Sequence, residues 1–421
     1  MTVRTLLKFF VAGTLLIAAG ASDCVLSPLG DGQDDTERVL AVVQECGNNG
    51  TITLREGNFN ITSRKMQWDL FGTKVDLFGF LNFHPNVEYW LDFDNTYQVV
   101  FIQNQSSWFV VSGQDFIIDA HNIGGIQGNG QTWWNFFTNV TREDGDGRPI
   151  GLTLWGATNG TIRNFQIISP PFWCNCVSES QDVVYDGMIC NATNMNPEFF
   201  GQVRPRIDTY RSSNVSLLNW DIVCGDDCLA IKGNSSNILA NNITCRGGNG
   251  IAFGSLGQYS ELIDMVFDVV ISNAQMIRLN SSIQPNMGTG VYFKTWDGSA
   301  NGAPPTGGGG GSGFVTNALL ANISCVDVDL PTHMYQTNGG HSADLPSPLQ
   351  FSNITWSNWT GTSTGAELVD IACSSTAPCV NLAFENFNVQ PSGGDAEFKC
   401  GNADNVTGIR MFFADPPSAS R

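Results

Sequence analysis

Short apolar runs rich in Val, Ile, Leu and Phe recur from about Gly113 onward at intervals of roughly two dozen residues, each bracketed by Asn, Gly or Ser. Residues 160–167, 214–220, 236–243, 319–323, 350–354 and 381–387 carry the pattern most plainly, and helical periodicity is almost absent. Sandwich strands return every 8 to 12 or so residues through hairpin turns. A solenoid coil instead holds several strands in a longer stretch and stacks its side chains on the next coil. The rhythm therefore predicts an all-β fold, a single-stranded right-handed parallel β-helix.

A solenoid exposes apolar strand edges at its end and needs a cap. The one convincing amphipathic helical segment is 34–45, with Thr36 as the expected N-cap, and it is assigned as a short N-terminal capping helix. Pro304-Pro305-Thr306 and the five glycines 307–311 resemble an interdomain linker, yet the strand rhythm resumes at Phe314, so a long surface loop is expected within one domain, 22–421.

Residues 1–21 have the layout of a cleaved secretion signal: Arg4 and Lys8, the apolar run 9–18, then Ala19-Gly20-Ala21. No stretch is long enough to span a membrane. Export agrees with twelve cysteines, which in an oxidising exterior most simply mean disulfides, and with N-x-S/T acceptors at Asn60, Asn139, Asn191, Asn242, Asn322 and Asn353. Cys174 with Cys176, and Cys373 with Cys379, lack the paired spacing of a structural zinc site, so neither metal nor cofactor is expected. The formal charge of −19 argues against nucleic acid as a partner, and a polyanionic ligand would need the few cations gathered in its cleft. A secreted monomer is expected.

Chemistry concentrates in four segments. Gly225-Asp226-Asp227-Cys228 sets two carboxylates at a strand end; Ile207-Asp208-Thr209-Tyr210 lies one coil earlier. Gly248-Asn249-Gly250, with Gln258-Tyr259 beyond it, lies one coil later, and Tyr292-Phe293-Lys294 follows on the next. Adjacent aspartates are usually a solvated turn. Positions one turn apart stack in a β-helix, so these segments would instead form a ladder of carboxylates, amide and ammonium along one face. Glycosidic cleavage requires a proton-donating acid and a second carboxylate that activates water or attacks.

The set resembles glycoside hydrolase family 28, the polygalacturonases and rhamnogalacturonan hydrolases. The likeness extends to Gly30-Asp31-Gly32, Asp34-Asp35-Thr36, the GNGQTWW stretch at 128–134, Arg148-Pro149 and Ser169-Pro170-Pro171-Phe172-Trp173, and 254–313 is similar to the fungal exo-acting branch. The resemblance implies an inverting hydrolase of pectic polysaccharide, with Asp226 as general acid, Asp227 holding the attacking water and Asp208 lining a subsite. It further implies a Cys228–Cys245 disulfide and recognition of a sugar carboxylate by Lys294. Asn249, Tyr292, Gln258 and Tyr259 are expected substrate contacts, and the aromatics Tyr259, Tyr292 and Trp296 are candidates to stack on sugars, with packing in the solenoid wall an equal reading for Trp296.

Three departures stand against it. Val203-Arg204-Pro205-Arg206 replaces the family's Asn-Thr-Asp-Gly, with Pro205 at the place of a water-holding aspartate, although Asp208 keeps the family's interval to Asp226. Asn249 stands at a histidine position and Tyr292 at an arginine position. These departures motivate two alternatives: a catalytically impaired pectin-binding homologue, and an exo-rhamnogalacturonan hydrolase or α-L-rhamnosidase. A pectate lyase on the same fold would want calcium-binding acids and an arginine base.

Overall fold

The computed structural model describes residues 22–138, 140, 145–195, 207–336, 346–409 and 412–413. Nearly all of its strands belong to one parallel array that coils about a common axis; the exception is an antiparallel hairpin, Tyr97–Val100 with Gln105–Ser107. The sequence rhythm is that of the long outer strands Ser213–Val223, Ser235–Arg246, Ile263–Ile277, Ser312–Val328, Gln350–Ser363 and Cys379–Pro391, each paired in parallel with the next. The fold is the expected parallel β-helix.

Two consequences of stacking hold the coils together. Inward positions align: Leu217, Ala240, Ile271, Leu320, Trp356 and Phe384 occupy equivalent places on six successive coils and are all buried. Rings stack where coils meet, Trp356 on Phe384 at 4.5 Å and Phe253 on Phe293 at 4.3 Å between centroids. Phe253→Ala is expected to lower unfolding stability by about 3–5 kcal/mol, because the neighbouring coils cannot close the cavity; chemical denaturation measures it.

The bracketing asparagines bend the chain. Asn219, Asn242, Asn273, Asn322, Asn358 and Asn386 adopt left-handed backbone, which asparagine tolerates better than other branched or bulky residues. Their amides then bond from rung to rung, Asn242 to Asn219 at 2.7 Å, Asn322 to Asn273 at 3.2 Å, Asn358 to Asn322 at 3.1 Å and Asn386 to Asn358 at 3.0 Å.

The capping helix spans Thr36–Cys46, buries Val39 and Val43, and is tied by Cys24–Cys46 to the strand Asp23–Leu26. Thr36 is its first residue rather than its N-cap: the N-cap is Asp35, and the Thr36 N–H is accepted by Asp34 at 3.0 Å. Cysteine usage also differs from the expectation. Four pairs are disulfides, Cys373–Cys379 among them, while Cys176, Cys224, Cys325 and Cys400 are buried thiols. Each of these buried thiols fills space as a small core side chain. The glycine tract is the expected loop, closed by a bridge between Asn301 and Gly308. Residues 1–21, Asn139 and 203–206 lie outside the described residues, and among those described no helix is long and apolar enough to cross a membrane.

Candidate active site

One flank of the solenoid is built from the short strands Asn175–Ser178, Ile207–Tyr210, Asp227–Ile231, Gly250–Leu256, Thr289–Thr295, Leu330–Tyr335 and Glu367–Ala372. Alternation sends Val177, Thr209, Ile231, Phe253, Phe293, Met334 and Ile371 inward. The intervening column, Cys176, Asp208, Ala230, Ala252, Tyr292, His333 and Asp370, faces outward and forms the floor of a groove. The two alanines, Ala230 and Ala252, are its smallest side chains, and both are buried.

Asp226 and Asp227 stand at the start of the third floor strand. Asp226 Oδ1 accepts from the Asp227 N–H at 2.9 Å and from Asn249 Nδ2 at 3.1 Å, so the carboxyl is held on both sides. The next coil must come close to do this: the Asn249 N–H donates to Asp226 O at 2.8 Å, and a Cβ on Gly248, at φ +80°, would meet that same oxygen at 2.1 Å. Only glycine fits there. Cys228 is joined to Cys245, S–S 2.03 Å, bracing the turn from behind.

Among the described residues, three donors converge on Asp227. Asn249 Nδ2 lies 3.5 Å from Oδ1, the Tyr292 hydroxyl donates to the same oxygen, and Lys294 Nζ sits 3.5 Å from Oδ2 and 2.9 Å from the Tyr292 oxygen. Burial, and then the Asp227 charge, push the Tyr292 phenol well above its ordinary range, so it stays a donor. Where the sequence resemblance places an arginine, Tyr292 carries no cation and supplies an oriented hydroxyl.

Asp208 is not stacked on this pair. It registers with Ala230, three positions farther along the strand than Asp227, and its Oδ1 lies 3.5 Å from Lys232 Nζ. Lys232 is a residue that motif reading passed over, although alternation alone puts it on the face of Ala230, as it puts Lys294 on the face of Tyr292. Gln258 departs from its expected place in substrate binding: its amide donates to Pro305 O and Gly307 O, both at 2.9 Å, and anchors the glycine-rich loop. Tyr259 accepts the Gln103 N–H at 3.0 Å and packs against Phe101. Trp296 is half-buried beside the loop.

Tyr259 and Lys232 belong to a wall. The hairpin turn at 97–105 lies across the earlier floor strands, where Val99, Val100 and Ile102 pack on Ile150, Cys176 and Tyr210 as a second apolar cluster outside the coil. Ser178 Oγ donates to Val99 O at 2.7 Å, and Lys232 Nζ to Gln103 Oε1 at 3.3 Å. Exposure along the floor follows: side chains of Asp208 and Lys232 are 0% and 2% exposed, Lys294 16%, His333 20% and Asp370 30%. Among the described residues, the hairpin covers the floor toward the N-terminal coils, and the floor side chains toward the C-terminal coils are the more exposed.

Burial also holds the His333 imidazole down to about 4. A folded-state value below the ordinary one means stability that is complete above the ordinary value and is lost as pH falls toward 4. His333→Gln is therefore expected to flatten the decline in denaturation midpoint between about pH 6.5 and 4 relative to the parent.

The sequence profile described as Glycosyl hydrolases family 28 matches residues 53–409. The chain belongs to family 28. Among its relatives, a putative galacturan 1,4-alpha-galacturonidase A of Aspergillus niger is 35% identical over 395 residues, covering 88% of either chain. The exopolygalacturonase of Cochliobolus carbonum is 32% identical, covering 91% of this chain and 84% of its own. In three dimensions this family 28 chain resembles the endo-xylogalacturonan hydrolase of Aspergillus tubingensis with a TM-score of 0.76, at 21% identity over 93% of this chain and 99% of that one.

Proposed function

We propose that the protein is a secreted, exo-acting glycosidase that removes the terminal sugar of a pectic chain with inversion. Asp226 gives its proton to the glycosidic oxygen as the bond from the anomeric carbon breaks. Water enters from the opposite face, and its proton passes to Asp227, which Asn249, Tyr292 and Lys294 hold in place. Asp208, fixed by Lys232, lines the closed end. The observation that carries the reading is the aspartate pair on a floor that the hairpin covers on one side, an arrangement suited to binding a chain end. The relatives named as galacturonidases and exopolygalacturonases, and the disulfides, agree with it.

Tyr292 supports a second reading of the sugar. A phenol in place of a cation suits a terminal sugar without a carboxylate, and a relative named as an α-L-rhamnosidase of Aspergillus niger is 29% identical over 394 residues. Lys294 favours galacturonate. Oligogalacturonides against rhamnose-terminated rhamnogalacturonan fragments, assayed for released monosaccharide, decide between them, and release from neither rejects the enzymatic reading. Tyr292→Phe removes one charge-assisted hydrogen bond, typically about 1.5–3 kcal/mol, and is expected to lower kcat roughly 10- to 100-fold with a smaller change in KM.

A further inference from the structure

The asparagines of the N-x-S/T motifs differ in how their side chains are held, and two arrangements stand opposed. Asn242, Asn322 and Asn353 are rungs of the asparagine ladders: each has left-handed backbone and spends Nδ2 on the preceding coil, on Asn219 at 2.7 Å, Asn273 at 3.2 Å and Asn317 at 3.4 Å respectively. Coils are about 4.8 Å apart, so a sugar on such a nitrogen would stand between rungs and break the ladder. Asn60 likewise donates to Gln33 O at 3.1 Å.

Asn191 and Asn280 are arranged the other way. Asn191 Oδ1 accepts the N–H and the hydroxyl of Thr193 at 3.0 and 2.7 Å. Asn280 Oδ1 accepts those of Ser282, both at 2.9 Å. The side chain folds back through its oxygen, as in an Asx turn, and the nitrogen is left uncommitted. Among the described residues only these two combine an unspent amide nitrogen with a hydroxyl donated to the same side chain.

Both sit where the chain leaves the solenoid, Asn191 closing the strand Gln181–Asn191 and Asn280 following Ile263–Ile277. Asn280 is exposed, and its loop is stiffened by Arg278, which donates to Asp327 O at 2.7 Å and Met287 O at 3.2 Å. The loop returns beside the catalytic turn, with the Gly288 N–H on Gly248 O at 2.9 Å.

We infer that Asn191 and Asn280 are the N-glycan acceptors of the described chain, and that the ladder asparagines remain bare in the folded protein. The donor is a polyprenyl-pyrophosphate-linked oligosaccharide: Nδ2 forms a bond to the anomeric carbon, the bond from that carbon to the pyrophosphate oxygen breaks, and one amide proton is released. The inference rests on the proposed export of the chain.

The full chain is expressed in a glycosylating fungal host, recovered from the medium, and mapped by peptide mass spectrometry after amidase deglycosylation in heavy-oxygen water. Label at Asn191 and Asn280, with none at Asn242, Asn322 or Asn353, is expected. Ser282→Ala is expected to remove the label at Asn280 alone and leave pectic-sugar release unchanged. Exported protein bare at Asn191 and Asn280, or labelled at a ladder asparagine, overturns the assignment. Retention inside the cell overturns export and the assignment with it, whereas export and glycosylation are scored without reference to enzymatic activity.

Discussion

Asparagine in place of Asp226 lowers kcat on a pectic oligosaccharide by about 10²–10⁴-fold, the range over which a positioned general acid contributes. The substitution keeps an oxygen to accept from the Asp227 N–H and from Asn249, so the local hydrogen bonds survive while the transferable proton is gone. KM is expected to stay within a few fold, because the lost interaction acts on the departing oxygen and not on the bound ground state. Asp227→Asn falls in the same kcat range for a different reason: an amide cannot take a proton from water. It also loses the contact with Lys294 Nζ, at 3.5 Å, so a larger KM effect accompanies it. Steady-state kinetics on the folded variants separates the two.

Opening the wall produces the second large effect. Replacing 98–104, most of the first hairpin strand and its turn, with a short Gly-Ser linker removes Val99, Val100 and Ile102 from the second apolar cluster, and Gln103 from Lys232. The floor at Cys176 and Tyr210 is then uncovered, and a chain can thread the groove. Products from a long polysaccharide are expected to change from nearly all monosaccharide to mostly oligosaccharides, with a rapid fall in solution viscosity that the parent does not give. An unchanged monosaccharide profile would mean that the closure lies elsewhere. The replacement also removes buried apolar side chains and lowers stability, so a single cooperative unfolding transition well above the assay temperature is the control.

The fold was legible because stacking repeats one requirement at every coil. An inward apolar residue beside an asparagine that tolerates left-handed backbone recurs often enough to be seen without pairing information. Asp226, Asp227, Asn249, Tyr292 and Lys294 were legible for a related reason: each lies at the start or outer face of a floor strand, so a one-coil step in sequence is a one-strand step in space. The wall offers no such regularity. Gln103 meets Tyr259 across 156 residues and Lys232 across 129, and no local pattern announces contacts of that range. Gln258 was misplaced because a polar residue after a strand end can face either the groove or its own loop, and the choice is made by the carbonyls of Pro305 and Gly307. Asp208 shifted by three positions because the carboxylate pair stands at the head of its strand, whereas Asp208 lies in the middle of its own.

The departure expected at Pro205 lies outside the described residues. Under the proposed mechanism Asn249 and Tyr292 keep Asp227 oriented, and the expected loss in Tyr292→Phe measures that dependence.

The most direct measurement follows the anomeric proton signals of the first sugar released from a defined, reduced oligogalacturonide or rhamnose-terminated oligosaccharide by nuclear magnetic resonance. Displacement by water held on Asp227 predicts a monosaccharide that appears first in the anomeric configuration opposite to that of the cleaved bond, and only later equilibrates. Initial release with retained configuration, an unsaturated sugar in its place, or no release above the Asp226→Asn protein would contradict the assignment of the two aspartates.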